Sequence, residues 1–229
     1  MLEYFSSATQ IGMTATPKET KYVSNINYFG EPLFTYSLKQ GIDDGFLAPF
    51  KVIKITTDIG DGWRPYKGQK DKNGNVIEDR VYYNHDYDYN IIIEDRIEQV
   101  AKEITKYLKA TDRMAKTIVF CPNEDAADRM RKALVNLNID MVKENADYVV
   151  RITGSDDYGK GKLQEFISVG EAYPVIATTS QLLSTGADCK MTKLIVLDKC
   201  IGSNTSSAHF KRSSFEIENS EIALWQQVL

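Results

Sequence analysis

The chain has 229 residues, 42% of them hydrophobic and 26% charged, an ordinary globular composition with enough apolar material for one large or two modest domains. Its 28 Lys and Arg against 32 Asp and Glu leave a formal net charge of -4, which argues against coating nucleic acid through overall basicity and requires any such site to be built locally. Cys121, Cys189 and Cys200 fall in no metal-ligand spacing and read as core-packing thiols. The start MLEYFSS has no basic region followed by an apolar stretch, and no apolar run approaches the ~18 residues of a membrane span, so a cytoplasmic, reducing setting without membrane attachment is expected.

In chain order, TQIGMTATPKE (Thr9 to Glu19) reads as a short buried strand ended by small polar residues and Pro17. Leu33 to Ser37 alternates like a strand, Lys39 to Asp44 forms a short helical turn, and Lys51 to Thr56, after Pro49, is a further strand. Thr57 to Asn90 is polar, and its Asn73-Gly74 pair predicts a protruding hairpin. The closing run YYNHDYDYN offers His85, Asp86 and Asp88 to a metal. Without further histidines in reach, its alternation suits a solvated strand better.

From Ile91 onward helices and strands alternate. Ile93 to Leu108 carries Ile97, Val100, Ala101, Ile104 and Leu108 at the helical period, and KTIVFC follows as a continuous apolar strand. Then come a helix from Asp125 to Leu137, the strand YVVRIT, a helix from Lys160 to Ile167, the strand PVIATT, a turn through Leu182 and Leu183, and the strand KLIVLD. Such repeats imply an α/β fold whose parallel sheet is flanked by helices. Ligands of such sheets sit at the carboxyl ends of the strands, which directs attention to Pro122-Asn123, Thr153-Gly154, Thr178 to Asp188 and Lys199 to Ser203.

One of these segments, ITGSDDYGKGKLQEF, imitates a phosphate-binding loop: Gly154, four residues, then Gly159-Lys160. The next position is Gly161, which has no hydroxyl for magnesium, and Asp156 and Asp157 would repel a polyanion. Gly159 to Gly161 is therefore expected to open the following helix.

GMTATPKET, KTIVFC, YVVRITG and VIATTSQLLSTGADCKMTKLIVLD, in that order, resemble the successive motifs of superfamily 2 helicases and DNA translocases. YFGEPLFTYSLKQGIDDGFLAPFKV and TDRMAKTIVFC resemble, more closely, the motor (R) subunit of type I restriction enzymes, over about Leu2 to Cys200. The resemblance implies two RecA-like lobes that clamp ATP and move along double-stranded DNA, in a complex with specificity and methylation subunits and a nuclease domain. It divides the chain into the end of a first RecA-like lobe with connector (1–48), a strand with a polar hairpin insertion (49–90), most of a second lobe (91–202) and a divergent tail (203–229).

The same resemblance assigns Thr14, Ala15 and Thr16 to coupling between ATP and DNA. Thr153, Gly154, Thr178, Thr179 and Ser180 become contacts to DNA phosphates, and Gly186 and Asp188 face the nucleotide. Hydroxyls and amides at strand ends suit contacts that position a strand without reading its sequence. No catalytic residue and no metal ligand is assigned, because the loop lysine, the magnesium-holding acid and the arginine motif of phosphoryl transfer are missing. ATP and magnesium belong to the parent motor, and the isolated chain is expected to bind neither and to be inactive. The tail IGSNTSSAHFKRSSFEIENSEIALWQQVL departs from the family pattern: Arg212 lacks flanking glycines and is not assigned as a finger, and Glu216 to Leu229 reads as a weak amphipathic helix. Another superfamily 2 DNA or RNA helicase, and a non-catalytic binding module, are the alternative readings.

Overall fold

The structure is a computed structural model that describes residues 7–14, 24–47, 49–56, 62–70, 74–83, 86–88, 92–180, 182–183, 189–199 and 221–227. The chain divides into two compact units: Met1–Leu47 with Ile201–Glu216, and Ala48–Cys200 with Ile217–Leu229.

The first unit holds two short helices. In α1 (Asn25–Phe29) the Ser24 hydroxyl caps the start by accepting the Asn27 N–H at 3.0 Å, and Gly30 ends the helix at φ 79°. In α2 (Leu38–Asp43) Ser37 and Gln40 form a reciprocal capping box, matching the expected turn at Lys39 to Asp44. The strand expected at Leu33 to Ser37 is absent, with Leu33 and Phe34 exposed. The described part of the strand expected from Thr9 is irregular too, with Ile11 and Met13 exposed. A strand persists only beside a hydrogen-bonding neighbour, and among the described residues the first unit offers none.

The second unit is built on one six-stranded sheet, ordered β1 (Phe50–Thr56), β6 (Glu221–Gln227), β5 (Thr192–Leu197), β2 (Lys116–Phe120), β4 (Ile176–Thr179) and β3 (Val149–Arg151). The pairs β5–β2, β2–β4 and β4–β3 are parallel, as the alternating pattern predicts, and β6 runs antiparallel to both neighbours. That last strand corrects the sequence reading of a helix over Glu216 to Leu229. Apolar residues at mixed spacings fit either element, and the free edges of β1 and β5 supply backbone partners that a helix could not use.

Helices α3 (Glu94–Ala110), α4 (Glu124–Leu137), α5 (Ile139–Glu144) and α6 (Asp157–Ile167) connect the strands. Buried Val119, Ile176, Leu194 and Val196 share one sheet face, and form one core with Ile97, Val100, Ala101 and Ile104 of α3 and Met130 and Leu134 of α4. The alternate residues Ile118, Phe120, Ala177 and Leu197 are buried as well, so both faces are covered. On that second face Lys116 donates to the Phe166 carbonyl at 3.2 Å, which fixes the end of α6.

The polar segment before α3 closes on itself as expected of a hairpin. Trp63 and Tyr82 exchange backbone hydrogen bonds of 2.8 and 2.7 Å, Lys70 bridges Val76, and Gly74 sits at φ 84°, a conformation natural only to glycine. Its closing run is not a solvated strand, however. Asp86, Tyr87 and Asp88 are buried, because arginines from three directions neutralise the two carboxylates. His85 lies outside the described residues, among which no cluster of three metal-ligating side chains occurs.

Candidate functional site

The carboxyl ends of β3, β4, β2 and β5 converge on one rim of the sheet, where the assigned segments lie. Thr178 pairs with Val119 and Thr179 with Phe120, so the two threonines point to opposite faces of the sheet. Both are fully buried, as is Thr153 just beyond β3, and the hydroxyls of all three have no hydrogen-bond partner. Buried hydroxyls are ordinarily paired, so three orphans at one rim stand out chemically. Ser180 is nearly buried, and its carbonyl accepts a 3.1 Å bond from Lys199 Nζ, tying β4 to β5. Gly154 is exposed; Glu124 Oε1 would lie 3.7 Å from a Cβ placed there, and the same carboxylate accepts the Ser155 hydroxyl.

Thr14, in the first unit, is exposed. Ala15, Thr16, Gly186 and Asp188 lie outside the described residues. Cys121 is buried, Cys189 half-buried, and Cys200 also falls outside them.

The loop that imitates a phosphate site is built for another purpose. Asp156 caps α6 by accepting the Gly159 N–H at 3.2 Å, so that amide is already occupied, and Arg151 donates to the same carboxylate at 3.0 Å. A Cβ at Gly159 would stand 2.0 Å from the Arg151 carbonyl oxygen, which shows why glycine is there: the first turn of α6 lies directly on the end of β3. Lys160 is half-exposed and pairs with Asp157 at 3.0 Å.

The rim also carries a buried ionic cluster that the sequence reading missed. Arg96, at the start of α3, pairs with Asp198, the residue after β5, and with Asp88 at 3.5 Å; Arg129 of α4 pairs with Asp88 at 2.7 Å. Asn123 serves twice, capping α4 through the Ala126 N–H at 2.8 Å and donating to the Asp88 carbonyl at 2.6 Å. Asp88 itself adopts φ 62°, rare for a residue other than glycine. Burial pushes the Asp198 carboxyl up to about 6 despite the opposing charge of Arg96. Burial likewise raises the Cys121 thiol and lowers the Lys199 ammonium. A strand ending in KLIVLD carried the signal, an acid directly after an apolar run, but the segment inspected began one residue later at Lys199.

No protein-family model matches the chain. The chain is 54% identical over 230 residues to the type I restriction enzyme EcoAI endonuclease subunit of Escherichia coli, a match spanning all of this chain and 28% of that protein. It is 30% identical over 204 residues to the EcoKI endonuclease subunit of Escherichia coli strain K12, covering 82% of this chain and 17% of the relative. The chain therefore spans less than a third of the length of these relatives. Among solved structures, a fragment described as an HsdR subunit of a type I restriction enzyme from Vibrio vulnificus YJ016 superposes with a TM-score of 0.70 at 38% identity, over 92% of this chain and 37% of that one. A parallel sheet flanked by helices, matched to such a fragment, is a RecA-like fold.

Proposed function

The chain belongs to the endonuclease (R) subunits of type I restriction enzymes, and from that premise we propose that it forms part of an ATP-driven motor that moves double-stranded DNA before cleavage. The observation that carries this reading is the single rim on which the matched strand-end segments meet, with the partnerless hydroxyls of Thr153, Thr178 and Thr179 behind exposed Gly154. Gly154 and Ser180 take the phosphate contacts, and the buried threonines couple movement of the strands beneath to the contact above. Thr14, Ala15 and Thr16 serve the same coupling, and Gly186 and Asp188 face the nucleotide. ATP and magnesium are held by the parent subunit, which works with specificity and methylation subunits.

Glu124 beside Gly154 places one negative charge where a phosphate would approach. In the complete subunit assembled with its partners, Thr179→Val is expected to lower DNA-stimulated ATP turnover at least tenfold at unchanged ATP affinity, and Glu124→Gln to tighten DNA binding. Unaltered turnover in the first variant, together with weaker DNA binding in the second, would remove this rim from the mechanism. The isolated chain is expected to turn over no ATP with or without DNA; measurable DNA-stimulated turnover by the pure chain would contradict that.

A further inference from the structure

The ends of β2 and β5 are covered by the chain itself. Segment 86–88 lies outside the named strands and helices, yet all three of its residues are buried. Its Asp88 gathers Arg129, Arg96 and Asn123, and Arg96 passes the connection on to Asp198, whose N–H donates to the Phe120 carbonyl at 2.8 Å. Asp86 is held in turn by the Arg80 guanidinium at 2.8 and 3.2 Å and by the Tyr83 N–H at 3.0 Å. Cys121, the residue after β2, is buried within reach of the charges of Asp88, Asp198 and Arg96.

Two physical facts set this segment apart from the sheet it covers. The described contacts of Asp86 and Asp88 are polar, and a buried ionic cluster returns little net stability because desolvation offsets its attraction. Asp88 also holds a left-handed backbone that disfavours residues with a Cβ. The sheet below is held by continuous apolar packing on both faces and by paired ladders. Detaching the segment therefore costs less than dissolving the sheet, which is the condition for opening as a separate local event.

We propose that segment 86–88 is a latch: Asp88 holds it over the ends of β2 and β5, and it opens while the sheet stays folded, baring Cys121, Arg96 and Asp198. The latch is a property of the second unit alone and stands independently of the motor reading.

Cys121 is the natural reporter, since a buried thiol reacts only when it is uncovered. The experiment uses the full chain carrying Cys189→Ser and Cys200→Ser, labelled with a thiol reagent across a urea series below the unfolding transition. A latch gives a labelling rate nearly independent of urea, because local opening exposes little surface. Asp88→Asn then raises that rate at least tenfold, whereas Asp140→Asn, which breaks a surface pair with Arg113, leaves it unchanged. The proposal is overturned if Cys121 labels only with the steep urea dependence of global unfolding or stays unlabelled below the transition. It is equally overturned if Asp88→Asn accelerates labelling only in proportion to lost global stability. Should Asp88→Asn fail to fold, the urea dependence of the parent chain decides alone.

Discussion

Gly159 and Gly161 sit two residues apart on α6 and meet opposite surroundings. A methyl at Gly159 collides with the Arg151 carbonyl, whereas a Cβ at Gly161 finds no atom within 4 Å. Gly159→Ala is accordingly expected to destabilise the chain by about 2 kcal/mol or more through overpacking, and Gly161→Ala to stabilise it by about 0.5–1 kcal/mol through helix propensity. Urea denaturation of the two variants checks both signs. Asp198 makes a prediction about pH at the same scale. Its folded pKa of about 6 lies above the ordinary 3.8, so its contribution to stability is fully present below 3.8 and is lost as pH rises through 6. Asp128, Asp147 and Asp156 are shifted the other way: burial opposes their ionisation, but hydrogen bonds from Lys132 and Arg131, from Tyr158 and Lys162, and from the Gly159 N–H and Arg151 outweigh it. Their stabilisation is lost only as pH falls through folded pKa values below 3.8. The stability difference between the parent chain and Asp198→Asn should therefore change between pH 4 and 6 and level off on either side, as chemical denaturation across that window would show.

Among the elements, those legible in the sequence are the ones whose own residues determine them. Ile97, Val100, Ala101, Ile104 and Leu108 fix α3 by period alone, and KTIVFC, PVIATT and KLIVLD announce strands buried on both faces. Elements decided by distant neighbours were not legible. Residues 221–227 become a strand because β1 and β5 leave backbone groups to pair, and Leu33 to Ser37 stays irregular for want of such a partner. The rim divides in the same way. Thr153, Thr178 and Thr179 were visible as hydroxyls at strand ends, while the cluster of Asp88, Arg96, Arg129 and Asp198 joins residues up to 110 positions apart and has no local spacing to betray it. Since β6 pairs on both sides, Leu224 faces Ile53 on one neighbour and Val196 on the other. Leu224→Pro removes a backbone donor from a central ladder and is expected to cost about 3 kcal/mol or more. A melting temperature unchanged by that substitution would argue against the strand.

For the whole molecule, the two units differ in how much apolar surface they bury. Leu33, Phe34, Phe46, Ile11 and Met13 of the first unit are all largely exposed, whereas the second encloses a core on both faces of its sheet. Cooperative unfolding should come mainly from the second unit. Calorimetry of the isolated chain is expected to give an enthalpy clearly below the roughly 160 kcal/mol that about 0.7 kcal/mol per residue near 60 °C implies for this length; the full value would mean that the first unit melts cooperatively too. The order of strands has a consequence of another kind. Thr56 of β1 pairs with Glu221 of β6, and Phe50 with Gln227, so a strand near the start of the chain waits for one near its end. At about 5–20 residues per second on the ribosome, the intervening stretch takes roughly ten to thirty seconds to emerge. Through that interval nascent β1 carries an unpaired edge open to other chains, and Lys51 and Lys54 within FKVIKIT are the charges that discourage such pairing until its partner is synthesised.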